Sequence, residues 1–391
     1  MKKMLLMIIL YLFKWHLKII YVFIKLFTRQ KSEVFFLSRQ GDTMSLNYSM
    51  LCSCFDTEGI KYKVICKKVP SGINGVFRNE KAYSSIFKEI GKIFGYYFNM
   101  YKQMVYIASS KVIIVDGYNI TVSVLNHKKN TKVIQLWHAL GAVKKFGYQC
   151  TNKEDGVNSK IASILCMHRN YDYVISASDE TSKHFSKAFN VPLDKVIVTG
   201  TPTVDYLLTE DKIKNKEIYK EYPAMKKKIN ILYAPTFRSD GSDNTSEVIK
   251  YLDKNKYNLI ISYHFKSKSK LDDNVIVFDK SKFSTLDMIK VCDYVITDYS
   301  AVAMEASVVK TKLLFYVYDY LKYKKENGIN IELLRDYKGI TFKDIKDVYD
   351  VIDKNKYDNE TYLKFVNKYM SVDGGCSKKL TNLVRELLWR S

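Results

Sequence analysis

Proline and glycine are scarce in this chain. Five prolines and 16 glycines in 391 residues leave little material for flexible linkers or low-complexity tracts. No segment recurs at a fixed period, which excludes a solenoid or propeller. The seven cysteines (Cys52, Cys54, Cys66, Cys150, Cys166, Cys292 and Cys376) include no CxxC pair, and their number is odd. That spacing excludes a disulfide framework and a zinc ribbon, and it reads as reduced thiols in a cytosolic protein. A GxGxxG fingerprint is also missing, which argues against a nicotinamide enzyme.

Positive charge is abundant: 63 Lys+Arg against 41 Asp+Glu give a net +22. Such a chain is drawn to polyanions, whether nucleic acid, an anionic membrane or a phosphate-rich substrate. The lysines are dispersed, with no Arg-rich arm, zinc pattern or aromatic RNA-binding motif, so nucleic acid is not the expected partner.

Residues 1–28 open with a basic tip and an apolar run from Met4 to Phe13, then continue as Lys14-Trp15-His16-Leu17-Lys18 rather than a small-residue cleavage site. Lys14, Lys18 and Lys25 fall within about 40° of one another on a helix whose remaining surface is apolar or aromatic. This pattern predicts a helix lying in the membrane interface, lysines toward anionic headgroups. A helix packed on the protein itself and a spanning helix remain the alternatives.

From Glu33 onward, short apolar runs alternate with amphipathic stretches. Strands are expected at Val34–Ser38, Lys63–Cys66, Val105–Ala108, Val112–Val115, Val133–Leu136, Tyr173–Ala177 and Val196–Thr199, with helices at Ser45–Phe55 and Tyr83–Met104. The charged segment 207–228 marks a junction. Strands then resume at Ile229–Tyr233, Asn258–Ser262, Val275–Phe278, Tyr294–Thr297 and Lys312–Tyr316, and a helix, Lys378–Trp389, closes the chain. The fold class expected is α/β and GT-B-like: two doubly wound Rossmann-type domains, 29–210 and 211–391, facing a cleft, plus the helix of residues 1–28.

Chemistry is expected at the strand tips. Val133-Ile-Gln-Leu-Trp-His138 ends a strand in a histidine, followed by Gly141, Lys144 and Lys145. A histidine at a cleft-facing tip can take a proton from an attacking hydroxyl, and the lysines can hold phosphate. The plainer reading is a hydrogen-bonded structural histidine beside solvated lysines. His264 ends the strand Leu259–Tyr263 in the same way, whereas His16, His127, His168 and His184 lack this context. Tyr294-Val-Ile-Thr297-Asp298-Tyr299-Ser300 leads from a strand into a helix carrying Glu305. Ser300 or Asp298 would cap that helix, whose N-terminus would seat a phosphate, or the two would merely cap it. Ala234-Pro235-Thr236-Phe237-Arg238 places an arginine just past another tip, suited to a diphosphate or simply exposed. Gly200-Thr-Pro202-Thr-Val-Asp205 reads mainly as a structural turn.

In this order, these segments resemble the CDP-glycerol glycerophosphotransferase family, the primases and polymerases of teichoic acids. Its members carry QxWHGxG…K, GxPxxD, APTxR, a second strand-tip histidine and TDYSS…(D/E). The matching segments here are Gln135–Lys145, Gly200–Asp205, Ala234–Arg238, His264 and Thr297–Glu305, and Phe36–Asp42 is similar to the family's first strand and turn. The resemblance covers about 33–370. It departs at Ala139, where the family has glycine, and at Ala301, where it has the second serine.

The resemblance implies transfer of glycerol-phosphate or ribitol-phosphate from CDP-glycerol or CDP-ribitol to a lipid-linked acceptor hydroxyl, with release of CMP. It implies His138 as general base, with His264 stabilising charge or positioning the donor. Arg238, Thr236, Thr297, Asp298 and Ser300 would bind the donor, Glu305 its ribose, and Lys144, Lys145 and Gly141 the acceptor or its phosphate. No cofactor and no metal are expected, and the site of action would be the cytoplasmic membrane face. A nucleotide-sugar glycosyltransferase and a non-catalytic polyanion-binding membrane protein are the competing functions, because one fold serves many chemistries.

Overall fold

The computed structural model describes residues 2–73, 89–154, 156–236, 238, 244–261 and 275–389. Two six-stranded, all-parallel sheets organise the chain. The first contains β1 (Lys31–Ser38), β2 (Tyr62–Cys66), β3 (Ser110–Val115), β4 (Lys132–Gln135), β5 (Tyr173–Ser176) and β6 (Val196–Val198) in the order β2-β1-β3-β4-β5-β6. The central strands are apolar almost throughout because helices cover both faces. The pairing of Phe35 with Ile113 and Ile113 with Val133 runs through the middle of the sheet.

On one face lie α1 (Lys2–Phe27) and α3 (Ile90–Ser109); on the other lies α2 (Leu46–Thr57). Val105–Ala108, expected as a strand, is the end of α3. Four apolar residues fit either period, but Tyr96, Met100, Met104 and Ile107 are buried at helical spacing, and the continuous stripe decides. Residues 83–88 of the expected helix lie outside the described residues.

α1 is also more integrated than a free interfacial helix. Leu17 and Tyr21 are buried against the first sheet's helices, and Lys25 Nζ donates to the Asn126 carbonyl at 3.0 Å. Lys14 and Lys18 lie over Tyr11 and Trp15 on the helix flank rather than pointing away from the protein. The outward face is apolar: Leu5, Ile8, Leu12, Ile19, Phe23 and Leu26 are all exposed. By length and composition, Met4–Phe27 could cross a membrane.

The second sheet contains β7 (Ile229–Ala234), β8 (Tyr257–Ile261), β9 (Val275–Val277), β10 (Tyr294–Thr297), β11 (Lys312–Tyr316) and β12 (Thr341–Phe342), ordered β12-β11-β10-β7-β8-β9. Strand order reverses between β1 and β3 in the first sheet and between β7 and β10 in the second. In open α/β sheets, ligands bind at such switch points, outside the strand C-termini. After β10 comes the short helix α4 (Val302–Val308).

The closing helix α5 (Cys376–Trp389) does not pack on the second sheet. Leu380, Val384, Leu387 and Leu388 join Val34, Phe36 and Leu51 in the first sheet's core. Residues 376–389, counted with the second unit from their position in sequence, therefore pack with the first. Asp205 explains the return: its carboxylate accepts the N–H groups of Cys376 (2.9 Å) and Ser377 (2.7 Å) at the start of α5. Gly200, at φ +70°, lies where a Cβ would meet Cys376 Sγ at 2.6 Å. The Gly200–Asp205 turn is thus a clasp for the end of the chain.

Candidate active site

The turn after β4 is built around Gln135. Its amide donates to the Gly117 carbonyl (3.2 Å), and its side-chain oxygen accepts from Trp137 N–H (2.9 Å). Trp137 then adopts φ +58°, a conformation that is strained for a bulky residue and persists only where packing over-determines it. That packing is present: the indole stacks on Phe146 at 4.7 Å and meets Phe189 edge-on at 5.1 Å. The kink turns the next residue, His138, out at the strand tip.

His138 Nδ1 lies 3.2 Å from the Asp116 carbonyl and 3.2 Å from Gln40 Nε2. The Asp116 carbonyl can only accept, so that contact calls for the Nδ1–H tautomer with the Nε2 lone pair as proton acceptor, and the Gln40 amide turned end for end then presents its oxygen to the same N–H. The imidazole is reachable by solvent yet has protein on most sides, as on the floor of a cleft. Burial holds its pKa below the usual value; the Asp116 carbonyl opposes this, and the charges of Lys144 and Arg39 reinforce it. At neutral pH the ring is therefore neutral and competent as a base.

Asp116, which sequence reasoning passed over, ends β3 beside this histidine. It is buried, neither carboxylate oxygen has a hydrogen-bond partner of good geometry, and burial pushes its pKa up to about 6. The signal was present: an apolar strand, Val112–Val115, ends in Asp-Gly, the same strand-tip rule that picks out His138.

On the second sheet, the expected donor residues mostly fasten strand tips to one another. Thr297 Oγ1 donates to the Ala234 carbonyl (2.7 Å). Asp298 Oδ1 accepts from Thr236 N (2.8 Å), Thr236 Oγ1 (2.6 Å) and Tyr299 N (2.6 Å). Asp298 thus does not cap α4, and neither does any other side chain, because the N-cap residue is Ala301; Ser300 Oγ receives only a long 3.4 Å contact from Val302 N.

Arg238 is similarly committed. Its guanidinium pairs with Asp298 (2.9 Å) and with both Asp319 oxygens (2.8 and 3.1 Å), and it donates to the Thr236 carbonyl at 2.8 Å. Tyr299 and Tyr323, stacked at 3.9 Å, and Tyr318 at 5.0 Å enclose it. Burial alone would lower its pKa, but Asp319 and Asp298 raise it above the ordinary guanidinium range. Three of its five N–H groups are thus spent on protein acceptors and a second carboxylate is ion-paired beside them, so the guanidinium is engaged with the protein rather than extended into open solvent.

Glu305, on α4, has no hydrogen-bond or ion-pair partner among the described residues, and burial pushes its pKa up to about 7. Its neighbour Met304 brings the two halves together. A Cβ at Gly141 would lie 2.7 Å from Met304 Cγ, so glycine is required there for close approach. The following segment docks on the second unit: Lys145 N–H donates to the Gly328 carbonyl (3.1 Å), Asn330 N–H to Val143 (2.8 Å), and Lys144 bridges to Ile329. The segment Gly141–Lys145, which follows His138, thus docks on the second unit at Met304, between Ser300 and Glu305 in sequence, and at Gly328–Asn330. His264 lies outside the described residues. His168 is boxed by Trp137, Phe189 and Tyr118 and held neutral, its pKa near 3, by burial; His127 lies near 4 for the same reason.

A cleft between two parallel sheets, with a neutral histidine on one lip and a capless helix carrying an unpaired carboxyl on the other, suits group transfer between two bound substrates. The comparisons specify the group. The CDP-glycerol:poly(glycerophosphate) glycerophosphotransferase family matches residues 20–386, and the chain belongs to that family. It is a CDP-polyol phosphotransferase of teichoic acid type. It is 30% identical over 338 residues to the teichoic acid glycerol-phosphate primase of Bacillus subtilis (strain 168), covering 84% of this chain and 85% of that one. It is 29% identical over 308 residues to the teichoic acid ribitol-phosphate primase of Bacillus spizizenii, covering 75% and 79%. The solved wall teichoic acid polymerase TagF shares the fold, with TM-score 0.68, 19% identity, and coverage of 92% of this chain and 90% of that one.

Proposed function

We propose that this chain transfers glycerol-phosphate or ribitol-phosphate from its CDP carrier to the hydroxyl of a lipid-linked acceptor at the cytoplasmic face of an anionic membrane. The observation that carries the reading is His138: a neutral imidazole, its Nδ1 tied to a carbonyl, facing a cleft that Gly141 closes against Met304. His138 Nε2 takes the acceptor hydroxyl proton as that oxygen attacks the β-phosphorus. A phosphodiester bond forms, the bond from that phosphorus to the bridging oxygen breaks, and CMP leaves with the electron pair. Positioning and charge stabilisation supply most of the acceleration in such transfers.

In this assignment the first unit holds the acceptor and the second the CDP donor. Lys144 and Lys145 meet the transferring or acceptor phosphate, Ser300 lies at the diphosphate, Glu305 accepts from the ribose, and His264 positions the donor. Arg238, Thr236, Thr297 and Asp298 keep the donor-side tips in register. The exposed apolar face of α1 lies against the membrane, with the dispersed lysines favouring anionic lipid.

The test is CMP release by purified protein from CDP-glycerol and CDP-ribitol with lipid-linked acceptors. CMP formed with one of them supports the reading. No CMP, together with turnover of a nucleotide sugar, would make the chain a glycosyltransferase; binding of polyanions without turnover of any donor would make it a non-catalytic protein.

A further inference from the structure

We propose that the first two turns of α3 form the seat of the membrane-borne acceptor, an amphiphile with a phosphate or diphosphate headgroup on a hydrocarbon chain. The inference rests on the phosphotransfer reading for the ligand's role, but on separate residues for its place.

Two cavities flank these turns. One, of about 660 Å³, mixes Lys67, Lys68, Lys92 and Ser71 with the apolar Val69 and Pro70, and Asp42 and Glu89 in its lining pair with Lys67 (3.3 Å) and Lys92 (3.9 Å). The other, of about 230 Å³, is lined by apolar and aromatic side chains from α3 (Ile93, Tyr96, Met100), from α1 (Leu10, Phe13) and by Ile73. At 100° per residue counted from Ile90, Gly91, Gly95 and Lys92 fall at about 100°, 140° and 200° around α3 and Tyr96, Met100 and Ile93 at about 240°, 280° and 300°, two neighbouring sectors of the helix. Between them runs an exposed apolar ridge, Ile90, Phe94 and Phe98, on a helix that itself packs against α1. The lysine-lined cavity on the Gly91 and Gly95 side, the apolar ridge and the apolar cavity therefore follow one another around a single helix, the order an anionic amphiphile presents from headgroup to tail.

Gly91 and Gly95 strengthen the case. Each costs about 1 kcal/mol against alanine inside a helix. A Cβ at either would meet open space, so packing does not demand them. What they leave is bare backbone in the lining of the cavity that holds the lysines.

The seat also connects with the chemistry. Asp42, at the cavity rim, pairs with Lys67 (3.3 Å) and accepts from Lys68 N–H (3.2 Å). Two residues earlier on the same turn, Gln40 touches His138. Two residues span at most about 7 Å of backbone, so one turn of chain carries both the contact to these lysines and the contact to the base.

The experiment uses the full chain in detergent with a prenyl diphosphate that carries a diazirine in its hydrocarbon chain, irradiation, and mapping of the labelled peptides. Labels are expected in residues 6–13 and 93–100, with at least about tenfold less labelling by the corresponding prenyl alcohol. The triple change Lys67→Ala, Lys68→Ala, Lys92→Ala should lower labelling about tenfold, and so should Met100→Trp, which fills the apolar cavity. Leu10→Trp, which fills it from α1, replaces Met100→Trp if that variant melts early. Labels spread along the exposed face of α1 and indifferent to these changes would overturn the proposal. Full competition by inorganic diphosphate, with Met100→Trp silent, would reduce the seat to a free-anion site and overturn it equally. Failure of the phosphotransfer reading shows separately, as no CMP release by the wild type from any CDP-polyol.

Discussion

Replacing Arg238 separates a framework role from a ligand role. Its guanidinium neutralises two carboxylates, Asp298 and Asp319, at 2.9 and 2.8 Å, and the three side chains are 8%, 2% and 14% exposed. Arg238→Ala strands both carboxylates in a poorly hydrated site. Breaking a buried pair from one side costs about 3–5 kcal/mol, most of it from the charge left behind. For a unit of this size each kcal/mol moves the melting midpoint by about 2–4 °C, so the variant should melt about 6–20 °C lower. Arg238→Lys keeps the charge but loses the fork that engages Asp319 twice, and should fall between. Adding Asp319→Asn to Arg238→Ala removes one stranded charge and should recover part of the loss. Because Asp298 holds Thr236 and Tyr299 N–H, the tips around the donor should loosen, lowering kcat as well as raising the donor KM. The assay is differential scanning calorimetry alongside CMP-release kinetics. An Arg238→Ala protein that melts with the wild type and differs only in donor KM would refute this reasoning and restore Arg238 as a direct diphosphate ligand.

Asp116, pushed up to about 6 from an ordinary value near 3.8, takes up a proton more readily folded than unfolded. Its contribution to stability is full below the ordinary value and lost as pH rises through about 6. Asp116→Asn should therefore raise stability at pH 7.5 by about 1–3 kcal/mol and flatten the pH dependence of the melting midpoint between about 4 and 7. Gly141→Ala should cost about 1–3 kcal/mol by overpacking against Met304 and reduce turnover; Met304→Ala in the same chain should restore it, as kinetics and melting curves would show. Glu305, with a pKa near 7, should make donor binding tighten as pH rises through neutrality, and Glu305→Gln should abolish that inflection in a pH series of donor KM.

The alternation of apolar strands and helices was legible because parallel strands buried on both faces read as short apolar runs, and the same runs put His138 just beyond a strand tip, as it is after β4. Three things were not. Val105–Ala108 is too short for its period to distinguish strand from helix end, and only the stripe it shares with Met100 and Met104 settles it. The return of α5 to the first sheet depends on Asp205 capping Cys376 across 171 residues, a long-range contact that no local pattern encodes. The pairing of Arg238 with Asp319, 81 residues away, and with Asp298 is likewise long-range and invisible to local pattern. A motif shows which polar residues gather at strand tips; it does not show which of them are spent on one another.

The most direct test of the account is the turnover of His138→Ala. A general base contributes about 10²–10⁴-fold. With CDP-polyol and lipid-linked acceptor, kcat should therefore fall at least about a hundredfold, with donor affinity and melting midpoint little changed, since the ring is exposed and its contacts are a carbonyl, Gln40 and the adjacent Trp137 indole at 4.1 Å. The wild-type rate should fall on acidification with its limb below the ordinary imidazole value, because burial lowers the pKa of this ring, and the limb should vanish in the variant. A folded His138→Ala protein that retains near wild-type turnover, or keeps the same acid limb, would contradict the assignment of His138 as the base.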